Sequence, residues 1–521
     1  MATPFASPPG IGIDHLLRQG ALRTPDKTAL VDDHGAISYR AAEAAANRLS
    51  CWLVAQGIRA GDRVALILPN GIAFIVAEIA ILRLGAVKVP LNIRFAVPEV
   101  LYALADCAPT GLIATADYAG RVLRERALVP SLAVFVAVGG EAAGAMPYES
   151  IVMTGNEIPA APHAYGDDDP VLIRYTGGTT GRPKGVVHTH RSYLAIVLDV
   201  VREYALVEAD VALHLGHLSH GLNFMWPAWY LMGATQVLRE RYEPSATWAD
   251  FASHRVTWVY MVPTMIHMLL EADDGRADVS SLQCFNYASA PMPVPLLRRA
   301  LARFGPIFTQ VYTLSEAPVV TTILRPHEHL EAETEYGPRL GSIGRTVPTF
   351  ELRLIDERGH DVSSGAVGEI AVRSTNNMAG YWNLPEETAK TLVDGWLRTG
   401  DMARRTVDGF LYLADRKKDI VITGGFNVWP KEVEDVLLGH PDVAQAAVVG
   451  APDEKWGEIV VAYVVPKAGR APTAESLVAR SLERLADYKK PRRIYIVEAL
   501  SLTPVGKVSR AALRERAKDA G

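Results

Sequence analysis

Hydrophobic positions along most of the chain alternate between short runs and longer stretches. Residues 63–68 (RVALIL) form a short apolar run closed by Pro69-Asn70-Gly71, and 72–84 (IAFIVAEIAILRL) are long enough for a buried helix. Gly85-Ala86 then leads into a second strand at 87–91. Strand, helix and strand at this spacing predict a βαβ unit, hence a parallel sheet covered by helices. The cycle restarts at 171–175 (VLIRY), continues into a helix capped by Thr189 (THRSYLAIVLDVVREY), and recurs at 257–262 (TWVYMV). After about Gly341 the pattern changes to short alternating segments, 350–355 and 369–372, which suggest a small antiparallel barrel or sandwich. The charged run Asp415-Arg416-Lys417-Lys418-Asp419 interrupts it, and by charge alone reads as a solvated turn. Beyond it a compact α+β tail is expected, with strands at 446–449 and 459–465 and a helix at 474–485.

Composition narrows the class. At 521 residues the chain has room for three or four units of ~150 residues. With 49% hydrophobic and 21% charged residues it is folded rather than disordered. The 53 basic and 58 acidic residues give a net charge of -5, which supplies no field for nucleic acid or an anionic membrane. Cys51, Cys107 and Cys284 lie far apart, against a disulfide framework or a cysteine metal site. The first twenty residues lack a signal-peptide core, and no run of about eighteen apolar residues occurs, so a cytoplasmic protein without an integral membrane segment is expected.

The strongest local chemistry is Tyr175-Thr176-Gly177-Gly178-Thr179-Thr180-Gly181-Arg182-Pro183-Lys184-Gly185. Glycines let backbone N–H groups approach an anion, the threonines add donors and the lysine adds charge, so the segment suits a polyphosphate. It is not a Walker A loop, because Pro183 precedes the lysine and Gly185 follows it. The stretch strongly resembles the phosphate loop of the adenylate-forming enzymes: acyl-CoA synthetases, stand-alone adenylation enzymes and beetle luciferases. Gly178 stands where that family usually has Ser.

Further motifs follow in the family's order. Tyr312-Thr313-Leu314-Ser315-Glu316 resembles the segment whose aromatic ring packs on adenine and whose carboxylate helps hold Mg2+, with Thr313 replacing a glycine and intruding near the pocket. In Gly395-Trp396-Leu397-Arg398-Thr399-Gly400-Asp401 the resemblance gives Asp401 the ribose hydroxyls. It also changes the reading of the charged run, assigning Arg416 to the nucleotide and Lys418 to an interdomain hinge. Pro504-Val505-Gly506-Lys507 is similar to the loop whose lysine bridges the carboxylate and the α-phosphate. Gly424-Gly425-Phe426 resembles the loop that lines the pantetheine tunnel in CoA ligases.

His214, His217 and His220 tempt a metal reading, but their apolar, glycine-broken surroundings argue against it. Leu218-Ser219-His220-Gly221 resembles the family's histidine motif beside the acyl pocket; a register using His217 stays open. The resemblance draws pocket walls from Asn223, Phe224, Tyr287, Ala288 and Pro318.

Together these imply an α/β enzyme with an N-terminal AMP-binding domain, 1–415, of two βαβ-type subdomains and a small β-barrel-like one. A mobile α+β lid, 416–521, follows. The expected activity is ATP-dependent ligation of an aryl or medium-chain fatty acid to CoA, through an acyl-adenylate and with Mg2+. Lys507, Glu316, His220 and Thr176 are the expected catalytic residues. Thr179, Thr180, Gly181, Lys184, Ser289, Ala290, Tyr312, Thr313, Ser315, Asp401, Arg416, Gly424, Gly425 and Phe426 are expected to bind ATP or CoA. A carrier-protein arm is the alternative acceptor, and a homodimer is compatible with this reading. A P-loop ATPase or a histidine-metal hydrolase are readings from another class.

Overall fold

The computed structural model describes residues 12–155, 165–176, 183–334, 336–416, 419–423, 426–453, 455–503 and 507–519. Strand Arg63–Ile67 shows how the layers arise. Val64 and Leu66 join one apolar cluster while Ala65 and Ile67 join another, as the two-residue period of a strand buried on both faces requires.

An eight-stranded sheet runs in the order Gly380–Tyr381, Lys184–Thr189, Pro170–Thr176, Val87–Pro90, Arg63–Ile67, Gly111–Thr115, Val134–Val138, Met146–Pro147. Neighbours are parallel from Pro170–Thr176 onward, and the first two strands pair antiparallel. A nine-stranded sheet has a parallel stretch of its own, from Phe308–Tyr312 through Cys284–Tyr287, Trp258–Met261, Val211–His214 and Thr235–Leu238 to Thr28–Asp32.

Between the sheets lies a helical layer whose cluster takes residues from both, Leu66 from one and Leu30 from the other. Ile72–Arg83 belongs to it and is apolar on every side, as a helix enclosed by protein must be. Its buried Arg83 is paired with Asp14 at 3.1 Å and Glu43 at 2.6 Å. Helix His190–Glu203 opens with the expected cap: the Thr189 hydroxyl accepts from Ser192 N, and the Ser192 hydroxyl accepts from Thr189 N.

The β unit expected after Gly341 is a five-stranded antiparallel sheet of Glu351–Ile355, Gly368–Arg373, Trp396–Arg405, Leu392–Val393 and Leu411–Arg416. The C-terminal sheet centres on Gly457–Pro466 and is covered on both faces: Val460, Ala462 and Val464 pack one way, and Ile459, Val461 and Tyr463 the other. Asp419 is tied to the helix Arg510–Asp519 through Arg514 at 2.8 Å and Arg510 at 3.5 Å. Cys51, Cys107 and Cys284 are free thiols, and among the described residues no helix is long and apolar enough to cross a membrane.

Candidate active site

The candidate residues collect at the carboxyl ends of parallel strands, where open α/β sheets bind ligands. Thr176 ends Pro170–Thr176, the histidine segment follows Val211–His214, Ser289 and Ala290 follow Cys284–Tyr287, and Thr313 to Glu316 follow Phe308–Tyr312.

On the phosphate side Thr176 pairs with Lys184 across an antiparallel hairpin, and its hydroxyl donates to the Lys184 carbonyl at 3.4 Å. Thr179, Thr180 and Gly181 lie outside the described residues. Lys184 Nζ is 2.8 Å from Glu387 and 5.0 Å over the Tyr381 ring. Lys184 and Lys390 together hold the Glu387 carboxyl down to about 2. Tyr381 donates to Glu316 Oε1 at 2.8 Å, Met378 N donates to the Glu316 carbonyl at 2.8 Å, and His188 Nε2 lies 2.9 Å from the Ser315 carbonyl. Burial, and then the Glu316 charge, push the Tyr381 phenol up, so it stays a donor.

On the nucleoside side the buried Tyr312 hydroxyl donates to Asp401 Oδ2 at 2.6 Å, joining two residues that the sequence assigned to one nucleotide. Strand register sets Arg416 opposite Asp401, while the Arg416 side chain lies outside the described residues. Ser289 adopts φ 71°, and its hydroxyl is 2.7 Å from that of Tyr260. The Thr313 hydroxyl accepts from Val319 N at 2.7 Å, steadying a backbone position at φ 73°.

The acyl side divides the expected wall residues. Phe224, Ala288 and Pro318 are buried, and the first two belong with Tyr312 to the cluster between the sheets. Tyr287 does not join them: one residue before Ala288, it faces the outer helices, with its hydroxyl 3.1 Å from His329. Asn223 is fully buried, and its amide donates to Glu78 at 2.6 Å. His214 is a core histidine, 2.9 Å from Gln236 and held to about 4 by burial. Among the described residues no group of three or more His, Cys, Asp or Glu could hold a metal ion.

His220 Nδ1 receives a hydrogen bond of 2.8 Å from Arg174. Burial, then Arg174, Lys507 and His217, push its imidazole well below the ordinary value. Thr503 N donates to the Lys507 carbonyl at 2.6 Å, and Lys507 N donates to the Thr503 hydroxyl at 3.1 Å. Phe426 is exposed and stacks on Tyr488 at 4.7 Å, on the C-terminal unit's own surface. Gly424, Gly425 and Lys418 lie outside the described residues. Sequence reasoning missed Arg174, Tyr381 and Glu387. An arginine inside the apolar run VLIRY was the available signal for the first.

Thr176, a Glu316 carboxylate held by Tyr381 and the Tyr312–Asp401 pair stand beyond the carboxyl ends of the parallel strands, where the motifs of an adenylate-forming enzyme were expected. The chain belongs to the AMP-binding enzyme family: the family model matches residues 17–382, and the model for the AMP-binding enzyme C-terminal domain matches 432–507. It is 36% identical over 510 residues to a feruloyl-CoA synthase of an Amycolatopsis species, covering 95% of this chain and 97% of that one. It is 34% identical to an indoleacetate–CoA ligase of Aromatoleum aromaticum, over 94% and 95% of the two chains. A fatty acid–[acyl-carrier-protein] ligase of Streptomyces coeruleorubidus is 33% identical, over 95% and 94%. The crystal structure of an anthranilate CoA ligase in complex with anthranoyl-AMP superposes with a TM-score of 0.90 at 27% identity, over 99% of this chain and 98% of that one.

Proposed function

We propose that the protein joins an aryl or medium-chain fatty acid to CoA in two half-reactions within this cleft. The observation that carries the reading is the 2.6 Å hydrogen bond from Tyr312 to Asp401, which joins the two residues assigned to one nucleotide; the influence of Lys507 on His220 agrees with it. In the first half-reaction a carboxylate oxygen of the acid attacks the α-phosphorus of ATP, and pyrophosphate leaves. Two anions must meet for this, and Lys507 lowers their repulsion by standing between them. His220 and Lys507 orient the carboxylate, Asp401 holds the ribose and Tyr312 flanks the adenine. Thr176, Thr179, Thr180, Gly181 and Lys184 receive the outgoing phosphates.

Mg2+ fits the donor set. Glu316 and the Thr176 hydroxyl are hard oxygen donors, and with no protein cluster able to hold an ion alone among the described residues, the ion would be shared with the nucleotide's phosphates. When bound, it supplies charge neutralisation at those phosphates.

In the second half-reaction the unit 416–521 turns about Lys418, withdrawing Lys507 and bringing Gly424, Gly425 and Phe426 to the cleft. The CoA thiol then attacks the carbonyl of the adenylate, gives up its proton, and AMP leaves. The exposed stack of Phe426 on Tyr488 supports this, since an aromatic surface on the C-terminal unit is free to move to the cleft. Relatives acting on aryl acids support the aryl arm.

Pyrophosphate release across a panel of acids, with and without CoA, tests the function. Aryl or medium-chain acids should release pyrophosphate, and CoA should raise the steady-state rate. Transfer to a phosphopantetheinyl carrier but not to CoA would replace the acceptor; phosphate in place of pyrophosphate would contradict the reading.

A further inference from the structure

Arg174 sits on a strand whose neighbouring positions, Ile173 and Tyr175, face the outer helices, so alternation turns its side chain toward the layer between the sheets. There the guanidinium lies 5.1 Å over the Phe224 ring, and Nη2 reaches Nδ1 of His220 at 2.8 Å. The residue is 4% exposed, and its buried Nε has no hydrogen-bond partner among the described residues. Burial lowers this guanidinium to about 10, with Glu316 and Tyr260 opposing, and it remains charged at neutral pH.

A guanidinium carries donors and no acceptor. The imidazole nitrogen that faces it at 2.8 Å is therefore bare, and the single proton of the ring stands on Nε2. A protonated His220 would set one N–H against another. We propose that Arg174 is a positioning residue for adenylation, whose hydrogen bond to Nδ1 fixes His220 as the neutral Nε2–H tautomer and presents that donor to the carboxylate of the acid. The inference rests on the reading of the cleft as an adenylation site.

The chemistry favours an uncharged ring here. Lys507 must come in beside His220 for the first half-reaction, and an imidazolium would repel it. The groups acting on His220 from around it are Arg174 of the strand Pro170–Thr176, Lys507 of the C-terminal unit and His217 of its own segment, all of them favouring the neutral ring. Glu316 and Tyr260 act on Arg174 itself, opposing the effect of its burial. Without Arg174, the ring gains protons more readily as pH falls, and repulsion of Lys507 grows.

Arg174→Met keeps an apolar stem over Phe224 and removes the charge and the donors; Arg174→Lys keeps a cationic donor. Arg174→Met should lower the rate of pyrophosphate release about tenfold or more, the effect of losing one charged hydrogen bond, with KM for ATP unchanged. The ratio of its rate to the wild-type rate should fall further as pH is lowered toward about 5, below the range of an ordinary histidine because burial still depresses the ring. Arg174→Lys should restore most of the rate and a level ratio. Thioester formation from preformed acyl-adenylate should stay within about twofold in both variants, because Lys507 is then withdrawn. A ratio level with pH in Arg174→Met, or equal loss in both half-reactions, overturns the proposal.

A second measurement needs no change at Arg174. The difference between 15N-histidine spectra of the wild type and His220→Gln isolates one ring, which should show a bare Nδ1 and a protonated Nε2 at about pH 7. A proton on Nδ1 overturns the proposal. Failure of the wild type to release pyrophosphate with any acid would instead remove the adenylation reading on which it rests.

Discussion

Lys88 and Arg174 are buried cations on adjacent parallel strands, and the fold treats them in opposite ways. Lys88 pairs with Glu78 at 2.9 Å and donates to Tyr193 at 2.8 Å. Glu78 also accepts from Asn223 at 2.6 Å and Trp226 at 2.7 Å, so both charges end in a closed network. Arg174 bonds to His220, and its Nε has no partner among the described residues. Burial of a charge is tolerated when its partners are complete. A closed network fixes the packing of helix Ile72–Arg83 against the chain at Asn223, and an open one is left where a substrate is to be met.

That contrast can be broken from either side. Lys88→Met leaves Glu78 buried without its cation and should cost about 3–5 kcal/mol in urea unfolding. A cost below about 1 kcal/mol would mean that the network contributes no stability. Arg174→Met, in the same assay, should change stability by less than about 1 kcal/mol or raise it, since it removes an incompletely paired buried charge. A loss as large as that at Lys88 would make Arg174 a structural residue and erase the difference. Tyr312→Phe removes the donor to Asp401 and should raise KM for ATP by about three- to tenfold, with little change in KM for the acid. An equal effect on both substrates would take Tyr312 away from the nucleotide side.

The βαβ units were legible because buried parallel strands and the helix Ile72–Arg83 are apolar at nearly every position, a signal that survives without any contact information. The Thr189 cap was legible for the same reason: its partner Ser192 is three residues away. Pocket walls were harder to read. Tyr287 and Ala288 are neighbours in sequence and face opposite layers, and only the strand register says which one reaches the cleft. The Asn223 amide is held by Glu78, 145 positions earlier in the chain, a contact that no local pattern announces. Tyr381 and Glu387 escaped notice because their partners, Glu316 and Lys184, come from distant strand ends. Arg174 has a meaning only beside His220, 46 positions away.

The central claim is that one lysine from the C-terminal unit serves the first half-reaction and is absent from the second. Lys507→Ala should be assayed in both halves separately: pyrophosphate release from acid and ATP, and thioester formation from preformed acyl-adenylate and CoA. Loss of a positioned cation between two reacting anions should lower the first by about a thousandfold or more. The second should remain within about threefold of the wild type. Equal loss in both halves would contradict the account.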